Sequence, residues 1–188
     1  MIIKIKKRTA IFITGIILLI VIIGAIKMTD SNNSQKVKLE TNHGDIVIEL
    51  YAEMPVTAGN FKKLVGEGVY DGVIFHRIID GFMLQGGDPT GTGMGDPKIP
   101  NIQDEFTNSD LDKNNRGTIS MANAGPNTGS SQFFLNLVDN NFLDGKHPVF
   151  GKIADEASLA VIDKIAKVQT NAQDKPLEDV VIVKASLV

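Results

Sequence analysis

Between Thr9 and Ile26 the chain carries no charge, and Lys4, Lys6, Lys7 and Arg8 stand just before that run. Eighteen helical residues reach roughly 27 Å at about 1.5 Å each, close to the hydrocarbon thickness of a bilayer. A helix apolar on every side beside a cluster of cations has nowhere to pack inside a small core. A secretory signal peptide also starts with cations, but its apolar core is commonly about 7–15 residues and ends at a small-x-small cleavage site. Here the run is longer, Gly24-Ala25-Ile26-Lys27 is a poor cleavage site, and no cysteine offers a lipid attachment point. We read residues 9–26 as an uncleaved transmembrane signal anchor and residues 1–8 as a basic cytoplasmic segment. The positive-inside rule then sets the remainder outside the cytoplasm, secreted if the segment is cleaved.

Residues 27–36 are polar and small and read as a short tether to the bilayer. From residue 37 to the end, the chain is long enough for a single buried core. Five of the 19 Lys/Arg and one of the 22 Asp/Glu precede Lys36, which leaves 14 cations against 21 anions. A near-neutral total thus hides an acidic domain on a basic foot. Acidity argues against nucleic-acid partners, whose affinity comes largely from Lys and Arg on phosphates. The absence of cysteine excludes disulfides, thiolate metal sites and a cysteine nucleophile.

The domain is organised around Phe75 to Asp88, two apolar runs flanking a Gly turn, with one cation, Arg77, and one amide, Gln85, set into them. A few polar groups among Phe, Met and Ile fit a small-ligand or peptide pocket. Residues 37–41 and 46–50 alternate around an Asn42-His43-Gly44-Asp45 turn, a β-hairpin pattern. Ala58, Phe61, Leu64 and Val65 recur at helical spacing until Gly66-Glu67-Gly68. Val73–Ile78 and Phe82–Gln85 read as strands, and residues 86–115 as one long, functional loop. Further strands are expected at 117–122, 132–137, 149–153 and 180–187, with a second amphipathic helix at 158–168. About eight short strands with Gly-rich turns predict a mainly β, closed barrel, its ends plugged by two helices.

Several features are decoys. Gly91-Thr92-Gly93-Met94-Gly95 resembles a phosphate loop, but no Lys-Ser/Thr comes after it, and Pro97 and Pro100 stand in place of a helix. His43, His76 and His147 lack metal-ligand spacing. Strand alternation sends His76 to the face opposite Arg77, into the core. Ser120, Ser130 and Ser131 lack a nucleophile-elbow context.

Phe75-His76-Arg77-Ile78-Ile79-Asp80-Gly81-Phe82-Met83-Leu84-Gln85-Gly86-Gly87-Asp88 resembles the signature of the cyclophilins. Ser120-Met121-Ala122-Asn123-Ala124-Gly125-Pro126 through Gln132-Phe133-Phe134, and Leu143-Asp144-Gly145-Lys146-His147-Pro148-Val149-Phe150-Gly151, match the family in the same order. The likeness covers residues 37–188. It implies an eight-stranded antiparallel barrel capped by two helices and peptidyl-prolyl cis/trans isomerase activity without a cofactor. Carried over by position, it implies Arg77 as the catalytic group and Phe82, Met83, Phe133 and Leu143 as the proline pocket. Gln85, Gln132, Asn123 and His147 become polar or rim contacts and Ala122 lines the adjoining groove, while Phe134 is assigned to the core. Phe142 stands where many members carry Trp, which keeps an aromatic wall but loses the indole N–H, so the likeness carries no expectation of cyclosporin binding. The expected partners are proline-containing peptides and unfolded proteins, met by a monomer that assists folding of secreted or surface clients. The alternative is a non-catalytic proline-peptide binding module or holdase using the same groove.

Overall fold

The structure is a computed structural model that describes residues 35–188 except Asn108. The expected anchor and the first residues of the tether lie outside the described residues. Among the described residues no helix is long and apolar enough to cross a membrane. The sheet begins at the tether's last residues: Leu50 N–H donates to Gln35 O at 2.8 Å, and Lys36 pairs with Glu49.

The nine strands are β1 (Lys36–Thr41), β2 (Gly44–Leu50), β3 (Val73–Ile74), β4 (Arg77–Ile79), β5 (Met83–Gly86), β6 (Thr118–Met121), β7 (Phe133–Asn136), β8 (Val149–Ile153) and β9 (Val181–Leu187). Helix α1 is Thr57–Gly66 and α2 is Glu156–Ile165. The strands form one antiparallel sheet in the order β3-β9-β1-β2-β8-β6-β7-β5-β4. Its two end strands are consecutive in the chain, so the sheet curls until its edges are joined by Phe75-His76.

This corrects the closed, eight-stranded barrel. The run expected as one strand, Val73–Ile78, follows β9 as far as the Phe75 N–H bond to Val180 O at 2.9 Å and then changes partners: Arg77 to Ile79 pair with β5, and Ile78 N–H donates to Asp174 O at 2.8 Å. The Phe75 ring is fully buried in the core. The ladder is therefore a curled, open sheet, and covalent continuity closes what hydrogen bonds do not.

The core is built around an aromatic cluster. Phe133 meets Phe61, Tyr70 and Phe75 edge-on at 5.5, 5.7 and 6.1 Å, a favoured ring geometry. The buried Tyr70 hydroxyl donates to Ser131 O at 3.0 Å, which offsets its desolvation. Helix α1 buries Ala58, Phe61, Leu64 and Val65, the stripe its spacing predicts. Its first turn lacks a side-chain cap of its own. The Glu105 carboxylate, from the long loop, instead accepts from Val56 N–H at 3.0 Å and Thr57 N–H at 2.9 Å. An anion there also meets the positive end of the helix dipole. Helix α2 is capped by Asp155, which accepts from Ser158 N–H at 2.8 Å, and packs on β2.

The long loop is organised by a second carboxylate. Asp88 is fully buried and accepts from Thr90 N–H (2.9 Å), Thr90 Oγ1 (2.8 Å), Gly93 N–H (2.7 Å) and Gly95 N–H (3.1 Å). Burial pushes its pKa up, but these donors outweigh burial and hold it below the usual carboxylate value. The Gly91–Gly95 segment is thus a loop folded around an anion of its own chain, consistent with its rejection as a phosphate cradle.

Candidate peptide-binding groove

Strand register builds the site. Directly opposed residues on neighbouring strands point to the same face. Arg77 opposes Gln85, Gln85 opposes Phe134, and Phe134 opposes Ser120. These four residues form one row across β4, β5, β7 and β6. The next row, Ile78, Leu84, Leu135 and Ile119, points the other way and is buried in the core.

On the Arg77 face lies a cavity of about 220 Å³. Its apolar wall is Phe82, Met83, Phe134 and Leu143. Arg77, Gln85, Asn123 and His147 supply the polar groups, and Ala122 completes the lining. A larger cavity of about 520 Å³ adjoins it, sharing Gln85, Ala122 and Asn123. Its far side is the Asp88-held loop, from Gly93 to Pro97, together with Gln132. The site is thus a groove of one small apolar pocket and one open polar pocket.

The assignment of Phe133 and Phe134 is reversed. Phe133 is fully buried within the aromatic core, whereas Phe134 lines the cavity, its ring edge-on to His147 at 5.5 Å. All four residues of β7 are buried, so neither face of that strand is marked by exposure. One face meets the core; the other meets the groove. The register with Gln85 identifies which is which, and that register is not visible in the local sequence.

Gln85 shares the Arg77 face, but its amide is turned toward Gln132. Gln85 Nε2 donates to Gln132 Oε1 at 3.0 Å, and Gln132 Nε2 donates to Gly93 O at 3.0 Å. These two amides tie the floor of the groove to the long loop. The group beside Arg77 is one the sequence reading missed: Asp174, whose Oδ2 lies 3.4 Å from Arg77 Nε.

His147 Nδ1 lies 3.2 Å from Met121 O, and because a carbonyl only accepts, Nδ1 is the nitrogen that carries hydrogen. Burial lowers its pKa, partly opposed by that carbonyl. Asn123 donates through Nδ2 to Lys146 O at 2.8 Å, which fastens the Ala122–Asn123 rim to the segment before His147. Among the described residues the main-chain N–H and C=O of Asn123 have no partner, which leaves them open to an extended peptide. Phe142 stands outside the cavity, 64% exposed and stacked on Phe82 at 5.9 Å, an aromatic shelf rather than a wall. His76 is buried, but not by the strand alternation expected for it. It lies in the break between β3 and β4, where Phe75, which shares Arg77's parity, enters the core and His76 packs against Gly93 of the long loop; burial lowers its pKa.

Fold and groove together define a protein of cyclophilin-like architecture. A solved cyclophilin-type peptidyl-prolyl cis-trans isomerase of Cryptosporidium parvum, crystallised in the presence of the dipeptide Ala-Pro, superposes with a TM-score of 0.75. It is 34% identical, and the match covers 82% of this chain and 99% of that one. The family model for cyclophilin type peptidyl-prolyl cis-trans isomerase/CLD matches residues 36–187. The peptidyl-prolyl cis-trans isomerase ppi1 of Schizosaccharomyces pombe is 49% identical over 151 residues, covering 79% of this chain and 96% of its own length. A Streptococcus pyogenes protein whose name joins a phosphatase to a peptidyl-prolyl cis-trans isomerase is 46% identical over 185 residues, covering 81% of this chain. That match spans 38% of the Streptococcus protein's length. The chain belongs to the cyclophilin-type peptidyl-prolyl cis-trans isomerases.

Proposed function

We propose that the small cavity seats a proline ring, that Arg77 accelerates rotation of the preceding X-Pro bond, and that the clients lie outside the cytoplasm. The observation that carries the reading is convergence: one guanidinium and four apolar side chains from β4, the β4–β5 turn, β5, β7 and the Leu143 turn meet in one cavity of about 220 Å³. That is smaller than a typical drug-sized pocket and suits a single small ring.

Rotation about X-Pro is slow because amide resonance must be broken, with a barrier of about 18–20 kcal/mol. No bond is cleaved, so the requirement is to favour the twisted amide over both planar ones. Phe82, Met83, Phe134 and Leu143 grip the ring and exclude the water that stabilises the resonance form's separated charge. Twisting returns a lone pair to the proline nitrogen, and a guanidinium N–H of Arg77 donates to it. A preorganised donor of this kind is worth about 3–4 kcal/mol in other active sites. The free main chain of Asn123 pairs with the peptide, and the larger cavity receives a residue on the N-terminal side of the proline.

The location rests on the sequence, where a basic cluster precedes the uncharged run from Thr9 to Ile26. Tethering then supplies selectivity for secreted or surface clients that a generic proline pocket lacks. The N-terminal sequence and membrane partition of the natively made chain test this half; a soluble cytoplasmic chain with the run intact would overturn it. Arg77→Ala tests the chemistry in a protease-coupled proline-peptide assay. The expected loss is about 10²–10³-fold in kcat/KM with peptide binding retained. No rate above background in the parent chain would leave a non-catalytic proline-peptide binding module.

A further inference from the structure

We propose that Asp174 is a positioning residue for the isomerase reaction, orienting Arg77 through its Nε edge so that the two terminal nitrogens remain available to the substrate. The inference rests on the reading of Arg77 as the catalytic group. Among the described residues Asp174 is the one carboxylate within 4 Å of the Arg77 guanidinium, at 3.4 Å from Nε. Gln85, on the strand position opposite Arg77, spends its amide donor on Gln132. The contact is an ion pair rather than a directional hydrogen bond, and its attraction draws the Nε edge of the planar guanidinium toward Asp174, which leaves the two terminal nitrogens facing away from it.

Asp174 grips β4 twice, once by each part of the residue. Its main-chain O accepts from Ile78 N–H at 2.8 Å, and its side chain meets the neighbouring residue, Arg77. The loop holding it is itself tightly bonded. Asp174 N–H donates to Asn171 O at 3.0 Å and Asn171 N–H to Lys175 O at 2.8 Å. Asn171 Oδ1 accepts from Gln173 N–H at 2.9 Å and Lys175 N–H at 3.1 Å. Thr170 and Pro176 close the loop as an isolated bridge.

Asp174 also has φ +62°, in the left-handed region that glycine enters without steric cost. A turn needing only that backbone would be served by glycine. Aspartate supplies the same turn with a carboxylate aimed at Arg77. The pair is half-exposed, with side chains 43% and 41% accessible. A pair so placed adds little to folding, which separates an effect on turnover from one on stability.

Asp174→Asn in the full chain is the test, because asparagine tolerates the left-handed conformation and keeps the main-chain acceptor while removing the charge. The expected result is a loss of about two- to fivefold in kcat/KM, carried by kcat, with KM and melting temperature unchanged. The loss shrinks in high salt, as screening weakens the pair in the parent. In an Arg77→Ala background the same substitution changes nothing further, because the partner is gone. Equal kcat/KM in Asp174→Asn and parent, a loss confined to KM, or an equal fractional loss in the Arg77→Ala background would each overturn the proposal. A parent chain without isomerase activity would overturn the reading of the site instead. The Arg77 Nε–H resonance then still decides the pairing: its chemical shift moves with added salt in the parent and not in Asp174→Asn if the ion pair exists, and responds equally in both if it does not.

Discussion

Phe133 and Phe134 are neighbours of identical chemistry, and the structure predicts opposite consequences for their loss. Phe133 is fully enclosed by Phe61, Tyr70 and Phe75. Truncation to alanine removes a ring from a space that cannot collapse, which costs about 3–5 kcal/mol. That is a large part of the ~5–15 kcal/mol that holds a domain folded. For a domain of this size, about 2–4 °C per kcal/mol gives a fall of about 6–20 °C in melting temperature. Phe134 has one face on the cavity, where solvent or substrate fills the gap, so alanine there costs folding mainly the transfer term, about 1.5–3 kcal/mol, without the added cost of a closed void. Its loss falls on the substrate: removing one wall from a bound proline ring forfeits about 1–2 kcal/mol, or about 5–30-fold in kcat/KM. Thermal unfolding by circular dichroism and a proline-peptide isomerase assay read the two effects separately. Phe133→Leu, milder and still foldable, moves in the same direction as Phe133→Ala. A Phe133→Leu chain that keeps its melting temperature but uses substrate poorly, or a Phe134→Ala chain with intact kcat/KM, would refute the inward and outward assignment of the two rings.

Gly87→Ala is expected to destabilise by about 3 kcal/mol or more, seen as a lower urea midpoint. Gly87 has φ +82°, and an added Cβ would sit 2.6 Å from Ser131 O and 2.7 Å from the Phe133 ring, so conformational strain and a collision add. Stability should fall as pH is lowered from about 7.5 to 5. Burial lowers the pKa of both His76 and His147 below 6.5, so below that pH the unfolded chain binds more protons than the folded one. A urea midpoint that is flat or rises on acidification would contradict this. Over pH 6.5–9, kcat/KM should instead be flat, because a guanidinium is charged at every accessible pH and burial lowers the pKa of His147; a steep titration there would assign chemistry to another group.

Local sequence determined the elements because their cause is local. Helix α1 was legible from the spacing of Ala58, Phe61, Leu64 and Val65, which packs one stripe whatever lies opposite. The β1–β2 hairpin was legible from alternation around Asn42-His43. The three motif blocks likewise brought Arg77, Phe82, Met83, Gln85, Ala122, Asn123, Leu143 and His147 to one cavity. Features left undecided by the sequence depend on pairs far apart in the chain. Glu105 caps α1 across 49 residues, and Asp174 reaches Arg77 from the other end of the domain. The break at Phe75-His76 exists because the chain leaves β9 after the Phe75–Val180 bond and pairs Arg77 to Ile79 with β5 instead. In β7 alternation establishes that Phe133 and Phe134 point opposite ways, but with both faces buried it cannot say which points into the core. Only the pairing of Phe134 with Gln85, and through it with Arg77, decides that, because strand register is a property of two strands and never of one.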